Sequence, residues 1–509
     1  MTAPDDKQAI GVETVGMAKA FGTFTALDSV SMRVAPGSFH ALLGENGAGK
    51  STLVKCIMGF YQPSAGQLMV NNREVEVGHP RDAHKLGLGM VYQHFTLVPS
   101  LTGAENLVIN RDDAPAIINW KREAEALDLF LQTMPFDVDL HVPVSRLSAG
   151  EKQKLELLKQ LYLGRRFLIL DEPTSVLTPM EADELLDTVR AMTRENGLTV
   201  LMITHKFREV ESSADEFTVL RRGRKAGGGH VRDLTREDMT QMMIGERKMV
   251  ATQEREGERG SREVFRLSGA TAPDRSGLKQ IAIESLVVHA REIVGVAGVS
   301  GNGQFELVEI ISGQRPLTGG TMSIDGKPFN GSRLQQHEYG VRIVPEEPLR
   351  NASAPGMSVA ENMAFRGFDF GASGRPAFLL DRKAIREKAV DMIDCFRVKT
   401  TGPDAPIASL SGGNVQRAIL ARELTGNVDF LVVSNPCFGL DIMAVSEIRS
   451  RIVAARNAGA AVLLLSEDLD EILELSDRIY TMSEGSLVYE TAGPGADIAE
   501  IGRHMAGHH

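Results

Sequence analysis

Three cysteines in 509 residues, Cys56, Cys395 and Cys437, are too few and too scattered for a disulfide framework or a zinc-ligand pattern, and a reducing compartment is the expected setting. Surplus positive charge is missing too. Lys and Arg number 56 against 67 Asp and Glu, a formal net charge of -11. That balance argues against a nucleic-acid binder whose affinity comes from neutralising phosphates. No apolar run approaches the roughly 18 to 20 residues that a bilayer span needs; the longest, such as AAVLLL, are strand-sized. The opening stretch MTAPDDKQAIGVET is polar and acidic, so a secretory leader is not expected. Any service to a membrane is expected from a peripheral subunit.

What is present is a duplication. A chain of this length asks for two or more domains, and it matches itself in six blocks that keep one order. SFHALLGENGAGKSTLVKCIMG (38–59) returns as EIVGVAGVSGNGQFELVEIISG (292–313), with the same 15-residue step from Gly44 to Gly59 and from Gly298 to Gly313. LTGAEN (101–106) returns as MSVAEN (357–362), and LSAGEKQ (147–153) as LSGGNVQ (410–416). RFLILDEPTSVLT and TVLMITHKFREV return as DFLVVSNPCFGLD and AVLLLSEDLDEI. The serine of each LS-G block lies 23 residues before Asp171 or Ser434. Two homologous domains are expected, at 1–250 and 264–509, with the charged stretch 251–263 (ATQEREGERGSRE) as linker. Short Val/Ile/Leu strands alternate with helical patterns in each half, which predicts an α/β architecture with buried parallel strands. A helix-rich insert such as KREAEALDLFLQTM precedes each LS-G block.

The first half carries chemistry. GENGAGKS, Gly44 to Ser51, fits G-x-x-x-x-G-K-[ST] between a strand and a helix. Its glycines let backbone N–H groups close around phosphate oxygens, with the helix dipole behind them. Lys50 is placed to neutralise the β- and γ-phosphates and Ser51 to bind Mg²⁺. LILDEP (168–173) is an apolar strand ending in two carboxylates. Asp171 suits the Mg²⁺ shell and Glu172 a general base acting on water.

With LSAGEKQ before those carboxylates and His205 after them, this order resembles the nucleotide-binding domains of ABC-type ATPases, twice over and along nearly the whole chain. The resemblance implies two P-loop NTPase domains, each with a mostly parallel core sheet, an antiparallel β part and a helical subdomain. It implies ATP held by Gly44, Glu45, Asn46, Gly47, Ala48, Gly49, Lys50, Ser51 and Thr52, with Phe21 stacking on adenine. Gln93 resembles the Q-loop residue that meets Mg²⁺ or water, and His205 the switch histidine that contacts the γ-phosphate. Metal ligands are then Ser51, Gln93 and Asp171, and the catalytic set is Lys50, Glu172, His205 and Gln93.

The second half keeps the scaffold and loses these groups. Gln304 stands for Lys50, Phe305 for Ser51, and Ser434 and Asn435 for Asp171 and Glu172. Glu467 replaces His205, Glu346 replaces Gln93, and Arg275 replaces Phe21. The LS-G blocks reverse the trend: Ser411, Gly412 and Gly413 bare more backbone N–H than LSAGE, where Glu151 repels phosphate. In the family each nucleotide lies between one domain's P-loop and the other's signature. The resemblance thus implies one competent site, made by the first P-loop with Ser411 and Asp441, and one degenerate site, where Thr178 replaces that aspartate.

Tandem halves with GNGQ, LSGGN and LLLSEDLDE resemble the ATPase subunits of bacterial importers for simple sugars (ribose and galactose types) or nucleosides, and DEPTSVLTP leans toward the nucleoside branch. Implied partners are two membrane permease subunits and an extracytoplasmic binding protein, with the chain on the cytoplasmic face of the inner membrane and no nucleic acid. The alternative is a soluble tandem ATPase acting on ribosomes or nucleic-acid complexes. The basic run 221–225 and the tail GRHMAGHH read as solvated segments.

Overall fold

The computed structural model describes every residue except 1–8, 94, 112–116, 137, 176, 196, 205, 246–253, 276, 278, 300, 369–378, 439, 441 and 506–509. The chain divides into two compact units, Met1–Arg247 and Lys248–His509. Each is built the same way.

In the first unit, six strands order as Arg224–His230, Glu216–Arg221, Phe39–Leu43, Thr199–Ile203, Phe167–Asp171 and Leu88–Val91. All pairings but the Arg224–His230 edge are parallel. The second unit repeats the order with Ser486–Ala492, Arg478–Ser483, Glu292–Ala297, Ala461–Ser466, Phe430–Ser434 and Val341–Val344. Strands such as FHALL and AVLLLS are buried along their whole length, as parallel strands covered on both faces must be. A four-stranded antiparallel sheet joins each core: Phe24–Val34, Val12–Phe21, Ala65–Val70 and Arg73–Val75 in the first unit, Gln280–His289, Glu263–Pro273, Gly319–Ile324 and Lys327–Phe329 in the second.

The pleat sorts the core of the second unit. Val462 and Leu464 enter one apolar cluster together with Ile293, Leu431 and Val433. Ala461, Leu463 and Leu465 enter the other with Val294, Phe430 and Val432. Alternation by one residue is what a strand with two buried faces produces. Phe430 stacks on Phe265 of the antiparallel sheet, ring centroids 4.6 Å apart and 12° from parallel. Both rings are fully buried, so Phe430→Ala is expected to cost ~3–5 kcal/mol, read as an earlier denaturant midpoint for the second unit.

Short helices begin within the repeat blocks LTGAEN and MSVAEN, and their starts are written in the sequence. Thr102 and Glu105 form a reciprocal cap on Gly103–Val108, and Ser358 and Glu361 form the same cap on Val359–Ala364. The described part of the stretch 251–263 is bonded to the second unit. Arg456, buried, donates to the carbonyls of Glu256 and Gly257 at 2.7 and 3.2 Å, and Asn457 donates to that of Glu254 at 3.0 Å. Among the described residues no helix is long and apolar enough to cross a membrane, and Cys56, Cys395 and Cys437 are free thiols.

Candidate functional site

The loop from Gly44 to Gly49 connects the buried strand Phe39–Leu43 to the helix Lys50–Ile57. Gly49 sits at φ +106°, and a Cβ there would lie 2.9 Å from the Ala26 carbonyl oxygen and from Leu27; only glycine fits. At Gly47 an added Cβ would meet nothing within 4 Å, so the loop is open on its outer side. Lys50 turns back into the loop, donating from Nζ to the carbonyls of Gly44 at 2.6 Å and Glu45 at 3.2 Å. Burial pushes its pKa down, while Glu172, Asp171 and Glu45 hold it up. A buried ammonium whose partners are loop carbonyls gains when a phosphate oxygen takes their place. Ser51 is exposed at the first turn, Thr52 is half-buried, Ala48 is buried, and Asn46 is exposed.

Asp171 ends the strand Phe167–Asp171. Burial raises its pKa, Glu172 raises it further, and Lys50 and Lys55 lower it. Glu172 follows at φ +47°, a left-handed conformation that costs a non-glycine residue of order 1–3 kcal/mol and clusters at functional sites. Gln93 Nε2 donates to Glu172 Oε2 at 2.9 Å, so the structure brings those two side chains into contact. The donor set fits Mg²⁺: a hydroxyl, an amide oxygen and one carboxylate, with room for phosphates, suit a hard cation that is rarely caged by protein alone. A cation there would offset both the burial and the Glu172 repulsion that raise the Asp171 pKa. Among the described residues no group of three His, Cys, Asp or Glu side chains is gathered to hold a metal.

Phe21 is 43% exposed and meets Tyr61 edge to face, centroids 5.2 Å apart. Lys19 lies 5.1 Å above Phe21, and Lys55 lies 5.5 Å from the Tyr61 centroid. An aromatic platform edged with cations suits a purine carrying phosphates. Tyr61 and Lys19 escape motif reasoning, because only the folded sheet brings them to Phe21. A buried carboxylate also escapes it. Glu209 accepts from Thr204 at 2.7 Å and from Thr174, and the Lys206 N–H donates to Thr204 at 3.0 Å. It pins the segments that flank position 205. His205 itself, and Asp441, lie outside the described residues.

The second unit has the same skeleton with different groups. Gln304 folds back as Lys50 does: a Cβ on Gly298 would lie 2.3 Å from its Nε2. Asn435 takes the left-handed conformation of Glu172, at φ +44°, and asparagine accepts it more readily. Asn435 Nδ2 donates to Glu346 Oε2 at 2.9 Å. The amide–carboxylate bond of Gln93 and Glu172 is therefore kept with its ends exchanged. Ser466 and Glu471, bonded at 2.8 Å, repeat Thr204 and Glu209.

The two LS-G blocks also differ in the fold. Ser148 and Glu151 cap each other at the start of Ala149–Tyr162: the Ser148 N–H donates to Glu151 Oε2 at 2.8 Å, and the Glu151 N–H to Ser148 Oγ at 3.2 Å. Ser411, before Gly412–Leu424, accepts from Asn414 Nδ2 at 2.8 Å. Both serine hydroxyls accept and so keep their hydrogen for donation; the difference is the charge beside them. A Cβ on Gly412 would meet nothing within 4 Å, so this loop faces open space with no carboxylate at its tip.

The ABC transporter family profile matches residues 27–175 and 283–437, more than half of the chain. A glucose import ATP-binding protein of Haloferax volcanii is 39% identical over 96% of this chain and 94% of its own. A nucleoside import ATP-binding protein of Lactococcus lactis is 36% identical over 97% and 98%, and a ribose import ATP-binding protein of Geobacillus kaustophilus 32% over 96% and 98%. Among solved structures, an archaeal ribosome recycling factor in complex with a ribosomal stalk protein aligns over 94% of this chain and 90% of its own, with a TM-score of 0.61. At 19% identity that likeness shows fold alone.

Proposed function

The chain belongs to the ABC transporter ATP-binding family, and on that premise we propose that it is the tandem ATPase subunit of an importer for a simple sugar or a nucleoside. The observation that carries the reading is end-to-end similarity to sugar and nucleoside import ATP-binding proteins, at 32–39% identity, in a chain whose first unit keeps the whole set Lys50, Ser51, Gln93, Asp171 and Glu172.

One site hydrolyses ATP. Lys50 exchanges its carbonyl partners for the β- and γ-phosphates, and Phe21 with Tyr61 carries the adenine. Ser51, Asp171 and Gln93 would hold Mg²⁺, which would supply charge neutralisation at the phosphates. Glu172, held by Gln93 at 2.9 Å, takes the proton of the attacking water, and His205 braces the γ-phosphate. Ser411, Gly412, Gly413 and Asp441 complete this site from the second unit. The second unit's own P-loop has neither lysine, metal ligand nor general base, so its site is degenerate.

Two permease subunits and an extracytoplasmic binding protein complete the importer, with this chain peripheral on the cytoplasmic face of the membrane. A cavity of about 790 Å³ beside LTGAEN, lined in part by Thr102, Ala104, Trp120, Leu127 and Leu131, supports a permease contact there. Closure on ATP would be passed to the permease through it. Uptake of labelled ribose, galactose, glucose and nucleosides by vesicles holding the complex tests the reading, and transport of none of them overturns it. Ala104→Phe, which fills the cavity, is expected to abolish uptake while the purified chain keeps its ATP turnover. Unchanged uptake would remove the contact from this surface.

A further inference from the structure

The retired site of the second unit has been rebuilt, not merely emptied. In the register set by Gly59 and Gly313, the aromatic pair Phe21 and Tyr61 becomes Arg275 and Arg315, with Glu309 in place of the Lys55 between them. Arg315 donates to Glu309 Oε2 at 2.6 and 3.0 Å, and Arg275 reaches Glu309 at 3.5 Å. The Arg275 guanidinium also lies 3.5 Å over the ring of Phe305, the residue that replaces Ser51. The purine platform is gone, and the one aromatic face left at the loop is covered by a cation.

Beside these residues lies a cavity of about 360 Å³, lined by Arg275, Arg333, Arg366 and Arg422 together with Glu309 and Glu346. That volume is within the ~300–1,000 Å³ range of small-molecule sites. Behind the wall, Glu423 is fully buried and serves both Arg366, at 2.8 and 3.0 Å, and Arg422, at 2.7 Å. Arg342, also buried, donates to the Val341 carbonyl at 3.1 Å. Asp429 also acts on Arg342, and it pairs with Arg262 at 3.7 Å. Among the described residues, four guanidiniums and two carboxylates thus line the cavity itself. Burial lowers the pKa of Arg342 and Arg422, and Arg366 lowers both further, even with Glu423 beside them.

The first unit shows that the fold does not require this. The residues matching Arg275, Arg315, Arg333, Arg342, Arg366 and Arg422 are Phe21, Tyr61, Pro80, Gly89, Asn110 and Lys159. The single cation among them, Lys159, is matched by Glu156 at 2.5 Å.

We propose that this cavity binds a small phosphate-bearing anion without a purine base, held by Arg275 and Arg333 at the solvent side and by the half-buried Arg366 and the buried Arg422. Guanidinium forks match phosphate oxygens two at a time, and a phosphate monoester brings close to two negative charges to a wall lined by four arginines. Ser434 and Phe305 stand where the first unit has Asp171 and Ser51, so the charge is met by arginine and not by a divalent cation. The proposal is independent of which solute is imported.

The test uses the full chain carrying Lys50→Ala, so that phosphate binding by the first P-loop is weakened, and calorimetric titration in magnesium-free buffer. Inorganic phosphate, ribose 5-phosphate and ATP are the probes. Saturable binding of phosphate or the ester is expected, and adding Arg275→Gln with Arg333→Gln should weaken it at least ~10-fold. Both side chains are exposed, and an unchanged Tm verifies the fold. Equal affinity for the two phosphates identifies free phosphate as the ligand; tighter ester binding identifies a phosphorylated metabolite. Absence of saturable binding, indifference to the two arginines, or ATP binding more tightly than the ester under control of those arginines overturns the proposal.

Discussion

Lys50→Ala is expected to lower ATP turnover by roughly 10²-fold or more, the scale on which a charge-stabilising group at a transferring phosphoryl acts, while Gln304→Ala leaves turnover near that of the unaltered chain. The two side chains occupy the same place in the same skeleton: each folds back onto the first glycine of its loop. Only Lys50 carries charge, and only its unit has Asp171 and Glu172 nearby, both of which hold its ammonium charged against the cost of burial. Glu172→Gln belongs to the same experiment. It keeps the shape and a hydrogen bond to Gln93, removes the base, and is expected to cost ~10²–10⁴-fold. The assay is phosphate release by the purified chain at saturating ATP and magnesium. If Gln304→Ala abolishes turnover as fully as Lys50→Ala, both units contribute to hydrolysis and the one-site reading falls.

Much of this was legible because the phosphate loop is contiguous. Residues 44–52 carry glycines, lysine and serine in one window, and the strand and helix around them are read from the buried run FHALL and the turn at Gly49. Repetition did the rest, since each loss in the second half is visible only against its counterpart. What escaped the sequence is made by long-range pairing. Phe21 reaches Tyr61 across 40 residues, and Asn435 reaches Glu346 across 89. Read singly, Glu346 and Asn435 are two losses; folded, they are one hydrogen bond with donor and acceptor exchanged. The arginine-rich cavity escaped for the same reason: Arg275, Phe305, Glu346 and Ser434 were legible only as losses, and Arg333, Arg366 and Arg422 join them from separate elements.

Ser411→Ala is expected to lower turnover by ~10²–10³-fold, the cost of removing one donor aimed at transition-state charge, and Ser148→Ala to have a small effect. Ser148 is locked in a reciprocal bond with Glu151, whose carboxylate stands beside any phosphate presented there. Ser411 has the uncharged Asn414 in that place and two bare glycines behind it. The better loop therefore sits in the unit with the worse P-loop, which is the arrangement that the proposed completion of the first unit's nucleotide by the second unit's signature calls for. Mixing chains decides where that completion occurs. A Lys50→Ala chain has a sound signature, and a Ser411→Ala chain has a sound P-loop. If sites form within one polypeptide, the mixture stays inactive. If they form between polypeptides, the sound halves meet and turnover returns, and the intramolecular pairing is wrong. A Ser148→Ala effect as large as that of Ser411→Ala would instead assign the working signature to the first unit.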